Sequence, residues 1–152
     1  TESDDYLTYF LRMAEIKQQY LDLYKEDETA TFGPALITNI LSTDAVLVIK
    51  HETRIGYGII LSISVKQCRI MINLGNYELA IGDSVKMFTA GLKANLSLQG
   101  TVCEAQLSEQ IEGFHEFCIN IDFNMGLVDL LYPYINMPEL EEPKQFEQGK
   151  EN

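Results

Sequence analysis

The stretch from Arg54 to Asn73, RIGYGIILSISVKQCRIMIN, decides the fold. Its first half places Ile55, Tyr57, Ile59, Leu61 and Ile63 at every second position, with Gly56, Gly58, Ile60, Ser62 and Ser64 between them. A period of two held this long predicts a half-buried β-strand, with the first set facing the core. After the polar break Lys66-Gln67, Cys68, Ile70 and Ile72 alternate against Arg69, Met71 and Asn73. Two antiparallel strands joined by a tight connection are the simplest geometry.

More strands flank this pair. Ala45 to Lys50 (AVLVIK) is continuously apolar and β-branched, the pattern of a strand covered on both faces. Downstream, Leu74-Gly75-Asn76 and Ile81-Gly82-Asp83 read as turns around the short extended piece Tyr77 to Ile81, and Ser84 to Thr89 as a strand. From Ala94 to Leu107, Leu96, Leu98, Gly100 and Val102 share one face, and the mid-strand glycine suggests a bulge or a barrel bend. Glu116 to Phe123 alternates again, with Phe117, Ile119, Ile121 and Phe123 inward. Leu127, Leu130, Leu131 and Tyr134 then fall at helical spacing in a helix that Pro133 kinks or shortens. About six closely spaced strands followed by a helix favour a small antiparallel β-barrel, a mainly β, α+β fold, over an α/β sheet. Ala35 to Leu41 fits a short strand or a turn of helix equally well.

Ahead of the strands, Ser3 to Lys25 reads as one helix, with Ser3, Asp4 and Asp5 supplying a cap and favourable charge at its start. Tyr6, Tyr9, Met13, Ile16, Tyr20 and Leu23 follow one another at alternating intervals of three and four, an a/d seam. A neighbouring stripe through Leu7, Phe10, Ala14, Leu21 and Tyr24 widens the apolar face, and Lys17 is its polar exception. Two readings stand side by side: a helix lying on its own domain, or a surface for self-association or docking made of Tyr6, Tyr9, Phe10, Met13, Ile16, Tyr20, Leu23 and Tyr24. Tyrosine suits an interface because it buries area while keeping a wettable hydroxyl. The expected division is residues 1–28 as helix, 29–137 as barrel with its closing helix, and 138–152 as an acidic tail too poor in apolar residues to fold.

Composition removes several classes of function. The 152 residues carry a net charge of −12 with only 11 basic side chains, which disfavours binding to nucleic acid or to anionic membrane surfaces. No apolar run is long enough to span a membrane and the chain opens acidic, so a cytoplasmic protein is expected. Cys68, Cys103 and Cys118 are odd in number and widely spaced, as reduced thiols are, and no zinc spacing occurs. Ser62 and Ser64 lack an elbow motif, and Gly56 and Gly58 lack the third glycine of a dinucleotide fingerprint. His51-Glu52 alternate in direction if they sit in a strand, and Glu104, Glu109, Glu112 and Glu116 cluster around a turn without calcium-loop order. No enzyme, metal or cofactor is expected.

The order of pieces resembles a PilZ domain. In that family a strand ends in D/N-x-S-x-x-G, a short apolar strand follows, G-D-x-V turns into the fourth strand, and a long strand, a strand ending in G-V-x-F and a helix complete the unit. Here the matching pieces are Ser62-Ile63-Ser64-Val65-Lys66-Gln67, Arg69 to Ile72, Gly82-Asp83-Ser84-Val85, Leu96 to Glu104, Ile119-Asn120-Ile121-Asp122-Phe123 and Leu127 to Ile135. The resemblance implies a six-stranded barrel and a signalling role in bacterial motility, type IV pili or secretion. It also implies cyclic di-GMP as the family's ligand, held by an R-x-x-x-R element whose guanidinium groups pair with phosphate and stack on guanine.

The ligand motifs depart from that pattern. No Arg or Lys lies between Lys25 and Lys50, where the basic element belongs. Of the second signature only Ser64 is kept, with Ser62 in place of the acid or amide and Gln67 in place of the glycine. The resemblance is therefore to a degenerate PilZ domain, a non-enzymatic adaptor acting through protein contacts and self-association. One alternative is a cyclic di-GMP receptor with a non-standard pocket from Arg54, Ser64, Lys66 and Arg69, although solvent-facing basic residues on a strand are the commoner meaning. A second alternative is a small acidic secretion chaperone, which would interleave helices with strands.

Overall fold

The computed structural model describes residues 2–25 and 30–135. The elements are α1 (Glu2–Lys25), α2 (Pro34–Leu41), β1 (Ala45–Lys50), β2 (Thr53–Ile63), β3 (Gln67–Ile72), β4 (Ser84–Ala90), β5 (Asn95–Leu107), β6 (His115–Ile121) and α3 (Met125–Ile135). The strands pair antiparallel throughout and close into a barrel in the order β1-β2-β3-β6-β5-β4. This is the expected six-stranded barrel with a long N-terminal and a short C-terminal helix. No helix interrupts the chain from Ala45 to Ile121, so the interleaved order of a secretion chaperone is not the one found.

The β2–β3 hairpin forms as its spacing predicts, but the phase of β2 is not the predicted one. Its pairing shifts twice: Ile49 meets Arg54 while Val48 meets Gly56, and Ile60 meets Ile70 while Ser62 meets Arg69. Each extra residue is a bulge, and because strand side chains alternate, a bulge inverts the face of every residue beyond it. Ile55 and Ile63 are buried as expected, but Tyr57 is 68% exposed and Ile59 also faces out, while Ile60, expected outside, is fully buried. Gly58 takes an inward position that has no room for a side chain, since a Cβ there would lie 2.8 Å from the Met71 carbonyl oxygen.

Two neighbouring strands correct the expectation in a related way. In β1 only Val46 and Val48 are buried, and Leu47 and Ile49 stay partly open on the outer wall. None of the described helices covers that wall, so the strand is not enclosed on both sides. β6 ends at Ile121, and Phe123, expected inside, is 42% exposed. There the chain turns away: Asp122 N–H bonds to the Gln99 carbonyl, and Asn124 donates to the Ser97 carbonyl at 2.8 Å. The Asn124 Oδ1 accepts from Leu127 N–H at 2.9 Å and so caps α3.

The barrel core runs from Val46, Val48, Ile60, Ile70 and Ile72 across to Met87, Leu98, Val102, Phe117 and Ile119. Gly100 lies among them not as a bulge, which falls at Cys103, but as a close approach: a Cβ there would collide with the Asn120 carbonyl oxygen. α2 resolves the ambiguity of residues 35–41 in favour of helix, with Pro34 in its first turn and Ser42 in a left-handed conformation at its end. Its Leu36, Ile37, Ile40 and Leu41 are buried. α3 buries Leu127, Val128 and Leu131, and Pro133 lies within it. Since α2 leads into the start of β1 and α3 leaves the end of β6, antiparallel pairing puts both at the same end of the barrel.

α1 already includes Glu2, so Ser3, Asp4 and Asp5 occupy its first turn, where carboxylates oppose the helix dipole. It rests on α3: Ile16 is partly buried against the core, and the Tyr132 hydroxyl donates to Gln19 Oε1 at 3.0 Å. The acidic tail, residues 138–152, lies outside the described residues.

Candidate functional site

The apolar stripes of α1 divide at Met13. Ile16 sits in a groove between α1 and α3, with Met13, Lys17, Met125 and Asp129 around it. Toward the N-terminus, residues 3–15 are all exposed. Tyr6 is 64% and Phe10 63% exposed, with Leu7, Tyr9 and Leu11 similar. Tyr9 and Phe10 meet edge to face at 5.7 Å, so the stripe holds together as an aromatic surface that none of the described residues covers. Of the proposed interface, then, Tyr6, Tyr9 and Phe10 stand open, Met13 borders the groove and is less open than they are, and Ile16 is used internally. The side chains of Tyr20, Leu23 and Tyr24 lie outside the described residues.

The four residues weighed as a dinucleotide pocket do not all converge. Ser64, Lys66 and Arg69 lie at the β2–β3 turn, while Arg54 sits at the other end of β2. Across that strand this is roughly 30 Å of extended chain. Ser64 is buried, and its Oγ accepts from the backbone N–H of Lys66 at 3.2 Å and of Gln67 at 3.1 Å. The hydroxyl thus closes its own turn, as serine does in such motifs. Gln67 keeps a negative φ, so the turn needs no glycine there, and its side-chain amide donates to Asn120 Oδ1 at 2.9 Å. Arg69 binds Glu104 at 3.2 Å; burial works against its charge, yet that hydrogen bond leaves its pKa raised.

His51 and Glu52 form no acid–base pair. They are the two loop residues of the β1–β2 hairpin, both exposed and both at positive φ. Among the described residues, no three His, Cys, Asp or Glu side chains converge as metal ligands would. Cys103 and Cys118 do meet, with the Cys103 thiol donating to the Cys118 carbonyl at 3.3 Å.

Sequence reasoning missed the outer wall of β2, β1 and β4. Pairing sets Tyr57 opposite Leu47 and Leu47 opposite Phe88, one outward row across three strands. The next row sets Arg54 opposite Ile49 and Ile49 opposite Lys86. The signal that could have found it was Gly58, since a residue with no side chain belongs where the wall is crowded and so puts its neighbours Tyr57 and Ile59 outside.

The fold is similar to that of solved proteins. Against the Bacillus subtilis inhibitor of motility (MotI/DgrA) the TM-score is 0.57 at 10% identity, covering 78% of this chain and 54% of that one. Against the Borreliella burgdorferi PlzA protein, solved in complex with c-di-GMP, it is 0.51 at 11% identity, covering 80% of this chain and 56% of that one. This chain therefore spans about half the length of each, and at these identities the likeness is one of fold. No family model and no curated protein matches the sequence. Among the described residues no helix is long and apolar enough to cross a membrane.

Proposed function

We propose that the chain is a non-enzymatic, PilZ-like signalling or adaptor domain that works through protein contact and self-association and has no standard cyclic di-GMP site. In this reading residues 1–28 form the association helix, 29–137 the barrel, and 138–152 an acidic tail, all in the cytoplasm of a bacterium. The fold it shares with the inhibitor of motility MotI/DgrA supports a role in motility control, and the resemblance to PilZ domains extends the proposal to type IV pilus or secretion control.

The observation that carries the reading is the open aromatic half of α1. A helix that anchors one end on α3 and leaves Tyr6, Tyr9 and Phe10 together in water presents a clustered apolar patch of the kind that marks an interaction surface. Against a standard ligand site stands the turn at Ser64, whose hydroxyl is spent on its own backbone, together with the absence of any basic residue between Lys25 and Lys50.

Light scattering on the full chain and on a Tyr6→Ser, Tyr9→Ser, Phe10→Ser variant tests it. The wild type should have at least twice the single-chain mass and the variant the single-chain mass. Calorimetric titration with cyclic di-GMP should give no saturable heat, and micromolar binding would overturn the ligand half of the proposal.

A further inference from the structure

The outer wall of β2, β1 and β4 is apolar where a barrel wall facing water is ordinarily polar. Tyr57, Leu47 and Phe88 make one continuous outward row, and Ile59 and Ala45 face each other in the row beside it. Tyr57, Ile59 and Phe88 are exposed. With strands about 4.8 Å apart, the first row is about 10 Å wide, the diameter of one helix with its side chains.

On the other flank Arg54 and Lys86 project from a basic row, both exposed and neither ion-paired among the described residues. In a chain of net charge −12, two bare cations beside an aromatic row select for an occupant that is both aromatic and acidic. α1 has that chemistry: Asp5 stands directly before Tyr6, Tyr9 and Phe10. Residues 3–15 do not lie on their own wall, since every one of them is exposed.

We propose that the wall of Tyr57, Leu47 and Phe88 receives the N-terminal half of α1 from a second copy of this chain. The inference rests on the self-association reading above and names the surface that α1 meets. The aromatic stripe packs along the row with Asp5 toward Arg54 and Lys86, and reciprocal exchange closes a two-fold dimer with no unfilled wall.

Two full-length variants test it. The helix variant carries Tyr6→Ser, Tyr9→Ser and Phe10→Ser, and the wall variant carries Tyr57→Ser and Phe88→Ser, each checked by far-UV circular dichroism to keep the wild-type fold, since Phe88 is only 37% exposed. Light scattering should give twice the chain mass for wild type and the single-chain mass for each variant alone. Mixed, the variants should regain a one-to-one pair, because the intact helix of one meets the intact wall of the other. An Arg54→Glu, Lys86→Glu variant, which keeps the apolar row, should weaken the wild-type dimer at least tenfold.

If the wall variant still dimerises while the helix variant does not, or if the mixture stays at single-chain mass, the wall is not the receiver. Self-association through α1 would then stand by itself. A wild type with single-chain mass at every concentration would overturn both readings.

Discussion

Arg69 on β3 and Glu104 on β5 meet at 3.2 Å across the strand between them, β6, and the residue they span is Cys118. Both are register partners of that cysteine, which is 1% exposed. Burial, followed by the Cys103 hydrogen bond, pushes the Cys118 thiol up to about 11. The pair is solvent-exposed, so removing it should cost less than about 1 kcal/mol. Its loss should instead show in thiol chemistry. Glu104→Ala uncovers Cys118 and removes an anion that disfavours the thiolate, so site-resolved alkylation at pH 8 should rise several-fold. Arg69→Ala uncovers the thiol but also removes a favourable cation, and its rise should be smaller. Equal and unchanged rates would show that the pair does not gate the thiol.

Stability should fall on the alkaline side. Burial pushes the Cys68 thiol from its ordinary 9.0 up to about 12. A folded-state pKa above the unfolded one gives stability that is complete below about pH 9 and is lost as the pH rises toward 12. Cys68→Ala should cost about 1 kcal/mol at neutral pH for the space it leaves, yet show a flatter decline between pH 9 and 11. Asp83 acts with the opposite sign. Its hydrogen bond to Lys50, then that from the Ala80 N–H, hold its carboxyl below the ordinary 3.8. That contribution is present above this pH and fades as the pH falls, and solvent exposure keeps it small. Urea titrations of wild type, Cys68→Ala and Asp83→Asn across the pH range would measure both limbs.

The β1–β2 hairpin offers a gain. His51 has φ 51° and Glu52 φ 64°, and both residues carry side chains that disfavour this left-handed backbone. A two-residue hairpin loop of this kind prefers Asn-Gly. The double change His51→Asn, Glu52→Gly should raise stability by about 1 kcal/mol, read as a higher denaturant midpoint with an unchanged slope.

The two serines of the β2–β3 turn should separate cleanly. Ser64→Ala leaves the Lys66 and Gln67 N–H groups without their acceptor and should cost about 1–2 kcal/mol. Ser62→Ala touches no such bond and should cost under about 0.5 kcal/mol. Similar losses for both would mean that the Ser64 hydroxyl is not what closes the turn. Thermal melts of the two variants suffice.

The strands and the barrel were legible because period-two spacing and turn residues are local signals, and β3, β4 and β5 carry them without ambiguity. The inward set of β2 was not legible. Its two alternating sets are Ile55, Tyr57, Ile59, Leu61, Ile63 and Gly56, Gly58, Ile60, Ser62, Ser64, and counting apolar residues chooses the first. The bulges that choose differently arise from pairing with β1 and β3, which no single strand encodes. The same long-range cause hid the wall of Tyr57, Leu47 and Phe88, since its members lie on three strands up to 41 positions apart (88 − 47). The α1 stripe was legible as apolar spacing, but only the contact of Ile16 with the core and of Gln19 with α3 divides it into an anchored and an open half.

The two bulges in β2 bracket a regular run, Gly56 to Ile60, whose register a change of length inside it would break. Deleting Gly58 would turn the segment after it inside out, sending Ile59 to the place where a Cβ would lie 2.8 Å from the Met71 carbonyl oxygen and Ile60 into water, whereas deleting Ile55 would only remove a bulge. Point mutation can therefore alter the outer wall without disturbing the barrel's register, whereas an insertion or deletion inside that run cannot unless the partner strand slips in step.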